Sequence, residues 1–197
     1  MAAKIHPSTT IIFCTFLFVS SMASAMAKEQ PFATNLDPKV LRLKKEKLTH
    51  FHMYWHDVVG GSKPGDKPTS FKVLPALRLN DTTNFGLVNI FDNPLTVGPE
   101  PESQLVGKSQ GLYASASQDQ FGLLMAMNFA FTYGKYNGST ITILGRNAIL
   151  DTVREMPVIG GSGRFRFARG YAQARTHFVN FTSLDAIVEY NIYVLHY

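Results

Sequence analysis

From His50 onward the chain alternates. Phe51, Met53, Trp55 and Asp57 fall on one face of an extended segment, and His50, His52 and His56 fall on the other. Further alternating or apolar runs follow over 83–92, 105–117, 120–133, 140–147, 164–178 and 185–197. Gly, Pro, Asn and Ser clusters separate them. Tyr136-Asn137-Gly138-Ser139 reads as a hairpin turn, and Gly160-Gly161-Ser162-Gly163 as another. Helical periodicity is almost absent. Short strands at this spacing predict an all-β chain, an antiparallel sandwich or barrel. The run Phe121–Phe131 stands apart. Leu123, Met125, Met127, Phe129 and Phe131 occupy one strand face, while Leu124, Ala126, Asn128 and Ala130 occupy the other. Such a strand is expected to be packed on both faces, and in an all-β chain the outer cover is a second subunit.

The first 48 residues break this pattern. Lys4, the short apolar run from Ile11 to Val19, and the small residues Ala23, Ala25 and Ala27 spell a secretory signal peptide over 1–27, with an A-x-A cleavage site. Its apolar run is too short to span a bilayer, and no other segment is suited to that role. Residues 28–48, with Pro31 and Pro38, read as a polar arm with a helical turn near 40–47. The barrel or sandwich domain then occupies 49–197. The single cysteine, Cys14, lies in the signal peptide. The mature chain of ~170 residues, enough for one domain, therefore carries no disulfide and no Cys nucleophile. Sequons at Asn80, Asn137 and Asn180 predict glycosylated surface loops. The whole chain has 19 Lys+Arg against 14 Asp+Glu. Part of the excess is the segment Arg42–Lys47. With no basic stripe interleaved with aromatics downstream, nucleic acid is not expected as a partner. Weak attraction to acidic wall polysaccharide is the most this charge suggests.

Alternation sorts the polar residues that chemistry needs. Asp57 shares its face with Trp55 and Met53, so His56 and Asp57 do not form a relay. On an inner face Asp57 is a carboxylate at the mouth of an apolar cavity, where burial raises its pKa and suits it to general-acid work. The plainer role is a cap on the Val58-Val59-Gly60 turn. His50, His52 and His56 lack an obvious further ligand, and no metal site is expected. Asn147 points with Ile141 and Ile143. In the run 164–178, Phe165, Phe167, Arg169 and Tyr171 share a face, which puts Arg169 and Tyr171 among the inner aromatics. A buried Arg there needs a partner. Tyr113 and Ser115 share a face with Gly107, Ser109 and Gly111, small residues that leave room for a ligand or let the sheet curve. The Gly160–Gly163 loop precedes no helix and is no phosphate cradle.

Several stretches together resemble the plant dirigent family. They are FHMYWHD from Phe51, QGLY from Gln110, NFAF from Asn128 and GKYNGS from Gly134. They continue with VREMPVIGGSG from Val153, FARG from Phe167 and the ending VEYNIYVLHY from Val188. The resemblance implies a secreted, eight-stranded antiparallel β-barrel with a central apolar pocket, associated as a trimer in the plant apoplast. It implies that phenoxy radicals or quinone methides, generated by a separate laccase or peroxidase, are the molecules bound. No cofactor is implied. The family's acid falls on Asp57, its pocket Arg on Arg154 and a pocket Tyr on Tyr113. Its second carboxylate falls on Asn147, and a second pocket Tyr of lignan-forming members falls on Ser115. Both departures count against pinoresinol-type coupling. The wording around Gly145–Asn147 and Arg154–Pro157 resembles the branch that includes pterocarpan synthases.

Three functions follow. The first is stereoselective steering of phenoxy-radical coupling, with Trp55, Tyr113, Ser115, Asn147, Arg169 and Tyr171 lining the pocket around Asp57 and Arg154. The second is dehydrative cyclisation of an isoflavanol through a quinone methide. The third is non-catalytic binding in the cell wall.

Overall fold

The computed structural model describes residues 31–61, 65, 67–77 and 82–197. The signal peptide and Asn80 lie outside them. Residues 31–42 belong to a unit of their own. There Asp37 caps a short 3-10 turn, Pro38–Leu41, by accepting a hydrogen bond from the Lys39 amide (2.9 Å).

Among the described residues the second unit holds nine antiparallel strands: β1 (Lys47–Asp57), β2 (Ser70–Leu74), β3 (Val88–Thr96), β4 (Leu105–Ser115), β5 (Gly122–Phe131), β6 (Thr140–Ala148), β7 (Arg154–Ser162), β8 (Arg169–Val179) and β9 (Ala186–His196). Their order is β1-β9-β8-β7-β6-β5-β4-β3-β2, and β1 also pairs with β3 at Tyr54↔Thr96 and Trp55↔Leu95. That pairing closes eight strands into the expected barrel. β2 is the extra strand. It lies along the upper half of β3, where β1 and β3 diverge, with Ser70 opposite Phe91.

The expected alternation holds on most strands. Met53, Trp55 and Asp57 are buried in β1, and Met125, Met127, Phe129 and Phe131 are buried in β5. At one end Phe51, Phe131, Tyr136 and Phe165 form an aromatic plug, with Phe51 stacked on Phe131 at 5.1 Å and edge-on to Tyr136 at 5.0 Å. Met53, Met125, Met127 and Met156 fill the middle layer. Methionine is unbranched and adapts to irregular space in a packed interior. The polar interior residues gather at the opposite end, where β1, β4, β6 and β8 finish and β7 and β9 begin.

Two expectations need correction. Gly160-Gly161-Ser162 is not a turn but the end of β7, paired with Thr140–Thr142. A Cβ on Gly161 would meet the Thr140 carbonyl oxygen at 2.3 Å, so glycine is required by the ladder itself. The chain reverses one step later, through the 3-10 turn Gly163–Phe165 and a left-handed Phe167 (φ 62°). This irregularity shifts the phase of the next strand by one residue. Ala172 and Ala174 face inward, and Arg169 and Tyr171 face outward. Within one chain the outer face of β5 carries Leu124 at 42% exposed, with Ala126 and Ala130 half-buried.

Candidate active site

Asp57 ends β1 on its inner face and is 6% exposed. It does not cap the turn that follows. Asp185 does so: its Oδ1 accepts from the amides of Val59 (2.8 Å), Gly60 (3.1 Å) and Gly61 (3.2 Å). A side chain at Gly60 would strike the Ser183 carbonyl at 2.8 Å, so the turn closes tightly on that carboxylate. Asp57 is therefore left to the interior. Asn93 Nδ2 donates to its Oδ1 (3.0 Å) and the Tyr113 hydroxyl to its Oδ2 (3.4 Å). Asn89 Nδ2 donates to that hydroxyl in turn (2.7 Å), and the Ser70 hydroxyl stands 3.4 Å from it. Burial pushes the Asp57 carboxyl up to about 6, against the lowering effect of the Asn93, Ser70 and Tyr113 hydrogen bonds; the Asp185 charge adds a little. Burial and the Asp57 charge push the Tyr113 phenol well above its usual range. The result is an acid that holds its proton near pH 6, next to a hydroxyl that stays protonated.

Arg154 opens β7 and is 4% exposed. Its Nε donates to Asn147 Oδ1 (3.0 Å), and its Nη1 donates to Thr176 Oγ1 (3.0 Å) and the Asp151 carbonyl (3.5 Å). Among the described residues no carboxylate forms an ion pair with it. Burial lowers the pKa of the guanidinium, which still stays charged. A buried cation held only by neutral oxygens is costly unless an anionic or strongly polarised oxygen arrives. The register β7–β8–β9 places Arg154 beside Ala174, and Ala174 beside Tyr190. Tyr190 is fully buried and edge-on to Phe129 at 5.3 Å. Burial raises its phenol's pKa, Arg154 opposes this and Asp57 adds to it, so the hydroxyl lies within electrostatic reach of both charges. Among the described residues none bonds that hydroxyl.

The predicted residues divide accordingly. Asp57, Tyr113 and Trp55 come together on one wall, and Asn147 and Arg154 on another. Ser115 is inward but committed, donating to the Thr83 carbonyl at 2.6 Å. Arg169 and Tyr171 take no part. Arg169 pairs with Glu46 (2.8 Å) and Tyr171 stacks on Tyr193 (5.0 Å), both on the outside. The three histidines of β1 find three separate partners: Asn191 for His50, Glu189 for His52 and Thr96 for His56. Since Thr96 donates to the Gly98 carbonyl (2.7 Å), its hydroxyl oxygen accepts from His56 Nε2, and burial lowers the pKa of that ring.

Sequence reasoning missed Asn89, Asn93, Ser70 and Tyr190. The signal for three of them was present. Asn89, Phe91, Asn93 and Leu95 alternate with Val88, Ile90, Asp92 and Pro94, and Tyr190 is the polar member of the inner set Val188, Tyr190, Ile192 and Val194. Ser70 follows a Pro-rich loop and carries no period to place it. Trp55 Nε1, Asn89 Oδ1 and Asn93 Oδ1 are buried and have no hydrogen-bond partner among the described residues. One donor and two acceptors thus await a polar ligand or water, at ~1–3 kcal/mol each if left dry.

The dirigent-like protein family model matches residues 48–195. The chain is 51% identical to dirigent protein 7 of Arabidopsis thaliana, over 95% of this chain and 97% of that one. It is 52% identical to pterocarpan synthase 1 of Glycine max, over 84% of this chain and 88% of that one. The solved structure of the pterocarpan synthase dirigent protein GePTS1 superposes with a TM-score of 0.76 at 51% identity, covering 84% of this chain and 99% of that one. The inner face derived above and these likenesses agree: the chain belongs to the dirigent-like protein family.

Proposed function

We propose that the protein binds an oxidised phenol, as a phenoxy radical or quinone methide, and fixes the face at which its new bond forms. The observation that carries this reading is the presence in one interior of a protonatable, buried Asp57 and a buried Arg154 that no carboxylate among the described residues pairs with. A quinone methide has a carbonyl oxygen that gains negative charge when a nucleophile adds at its far carbon. Arg154, with Asn147 holding it in place, stabilises that oxygen. Asp57 supplies or receives the proton. The unpartnered Trp55 Nε1, Asn89 Oδ1 and Asn93 Oδ1 accept and donate in the pattern a phenol or catechol ring offers. Oxidation is left to a separate laccase or peroxidase. The protein contributes orientation, which acts on which faces meet rather than on how radicals arise.

A second reading is favoured by Asp57 alone. Near pH 6 its carboxyl is poised to protonate a departing hydroxyl, and afterwards to take the proton of an attacking phenol. An isoflavanol would then lose one water and close one ether ring, with the Asp57 proton restored. One screen separates the two readings. Candidate phenols and isoflavanols are incubated with and without laccase, and products are resolved by chiral chromatography. Enantiomeric excess that needs laccase supports radical steering. Accelerated isoflavanol cyclisation without oxidant supports the lyase. Racemic products and unaccelerated cyclisation across the panel refute both.

We further propose a homotrimer in the plant apoplast. Phe71, Ile90, Leu112, Leu124 and Leu144 are exposed, and all lie on the outer face of β2–β6. The register Phe71↔Ile90↔Leu112↔Ala126↔Leu144 makes them contiguous. Asn137 is exposed at its hairpin and Asn180 half-buried in an Asx turn, accepting from the Thr182 amide (2.9 Å); both are proposed glycan sites.

A further inference from the structure

We propose that the closed end of the barrel binds a linear polyuronate, an acidic polysaccharide, through Lys44, Lys45, Lys47, Arg164, Arg166 and Arg169, with Phe167 packed on a sugar ring. The end of β9 gathers Lys47, Arg164 and Arg169; Lys44 and Lys45 lead into β1, and Arg166 and Phe167 lie between Arg164 and Arg169 in the chain. Lys47 pairs with His196, Arg169 pairs with Leu195, and the His196 ring contacts the Arg164 carbonyl (3.1 Å). All six cations are exposed. Among the described residues one of them, Arg169, is ion-paired, with Glu46. The acids of the β3–β4 loop are elsewhere. Thr96 pairs with Tyr54, about seven residues or ~23 Å along β1 from Lys47, and the Glu100 charge is felt at Tyr54.

Phe167 gives the patch a second character. It holds a left-handed backbone (φ 62°) and its side chain is 53% exposed. A bulky residue rarely adopts that conformation, and glycine or asparagine would do so at lower cost. The side chain is not in the core, so packing does not explain its retention there. Its neighbours decide the class of partner. Arg164-Phe165-Arg166-Phe167 is one short run that does alternate cation and aromatic, against the expectation that none lies downstream of the leading basic segment. Phe165, however, is fully buried in the plug, which leaves one outward ring where strand binding uses several. Arg164 and Arg166 lie at the end of the barrel, while Arg169 lies on its flank beside Tyr171. A flat bilayer meets one of these surfaces. A flexible polyanion follows both.

The test is equilibrium binding of the full chain to polygalacturonate. The comparisons are its methyl-esterified form, anionic phosphatidylserine vesicles and duplex DNA. Binding should be lost on esterification and fall about tenfold between 50 and 200 mM salt, as screening of several contacts requires. The double variant R164Q/R166Q should lose about tenfold at low salt. F167N should weaken binding several-fold while raising Tm by about 2–4 °C, because the strained backbone is relieved. Stereocontrol in the pocket should be unchanged in all of these, since none of the residues lines it; if both binding and stereocontrol fail, the fold has been lost. Equal binding of the esterified polymer, wild-type binding by R164Q/R166Q, or tighter binding to vesicles or DNA would overturn the proposal.

Discussion

The raised Asp57 pKa makes a stability prediction that does not depend on knowing the substrate. In the folded protein the carboxyl titrates at about 6, against 3.8 ordinarily. Protonation therefore favours the folded state. The cost of burying the charge is absent below 3.8, grows as pH rises, and is complete above about 6. A shift of about 2 pH units corresponds to about 3 kcal/mol. Asp57→Asn removes that charge. Relative to wild type, the variant should gain about 3 kcal/mol between pH 4 and pH 7, or roughly 6–12 °C in Tm. Any lost hydrogen bonding to Asn93 or Tyr113 shifts the whole curve but not its slope. The assay is thermal unfolding of both proteins across pH 4–8. A Tm difference that is flat in pH would refute the reasoning, because it would mean Asp57 titrates normally. The same variant should lose proton transfer, and in wild type the acid-dependent step should slow as pH rises through about 6.

Other predictions concern single contacts. Arg154→Met should abolish stereocontrol or cyclisation by at least about 100-fold while keeping the fold, since it removes the charge that meets the substrate oxygen; Arg154→Lys should restore only part, because one ammonium cannot hold Asn147 and Thr176 together. Tyr190→Phe should leave stability unchanged or raise it by up to about 1 kcal/mol, because the hydroxyl has no hydrogen-bond partner among the described residues, and should alter the product ratio in chiral chromatography. The pair Leu112→Glu and Leu144→Glu should give a folded monomer by light scattering with an unchanged circular dichroism spectrum; a persistent trimer would place the interface elsewhere.

Most of the barrel was legible because period-2 patterning decides faces as well as strands. Met53, Trp55 and Asp57, the Met/Phe face of β5, and Asn147 all face inward as the alternation predicts. Failure came where the period was interrupted. The 3-10 turn at Gly163 and the left-handed Phe167 shift β8 by one residue, and that slip turned Arg169 and Tyr171 out of the site. Neither feature has a local signature, since Phe is not a residue that advertises positive φ. Asn89 and Asn93 were hidden differently. They lie on a clear alternating face, but amides carry no chemistry alone and matter only because Asp57 and Tyr113 lie across from them. Asp185 took the cap that Asp57 was a candidate for, through a contact separated by more than a hundred residues in sequence.

The position of Asn147 tests how the one-acid site works. Its Oδ1 is 3.0 Å from Arg154 Nε, so a carboxylate there would sit directly on the guanidinium. Asn147→Asp should form that ion pair, hold the new carboxyl ionised, and satisfy the cation that otherwise meets the substrate. Three effects follow together. Stability should rise by about 1–3 kcal/mol at neutral pH, since a buried cation gains a partner. That gain should vanish as the new carboxylate is protonated at low pH. Affinity for a quinone methide or its stable phenolate analogue should fall at least about tenfold, because the oxygen now competes with a fixed anion. Ligand titration at pH 5 and pH 8, beside unfolding at the same two values, measures all three. A variant that binds the phenolate as tightly as wild type at pH 8 would show that Arg154 is not the oxygen's partner. A buried Arg154 with no carboxylate partner among the described residues would then be a feature of folding rather than of chemistry.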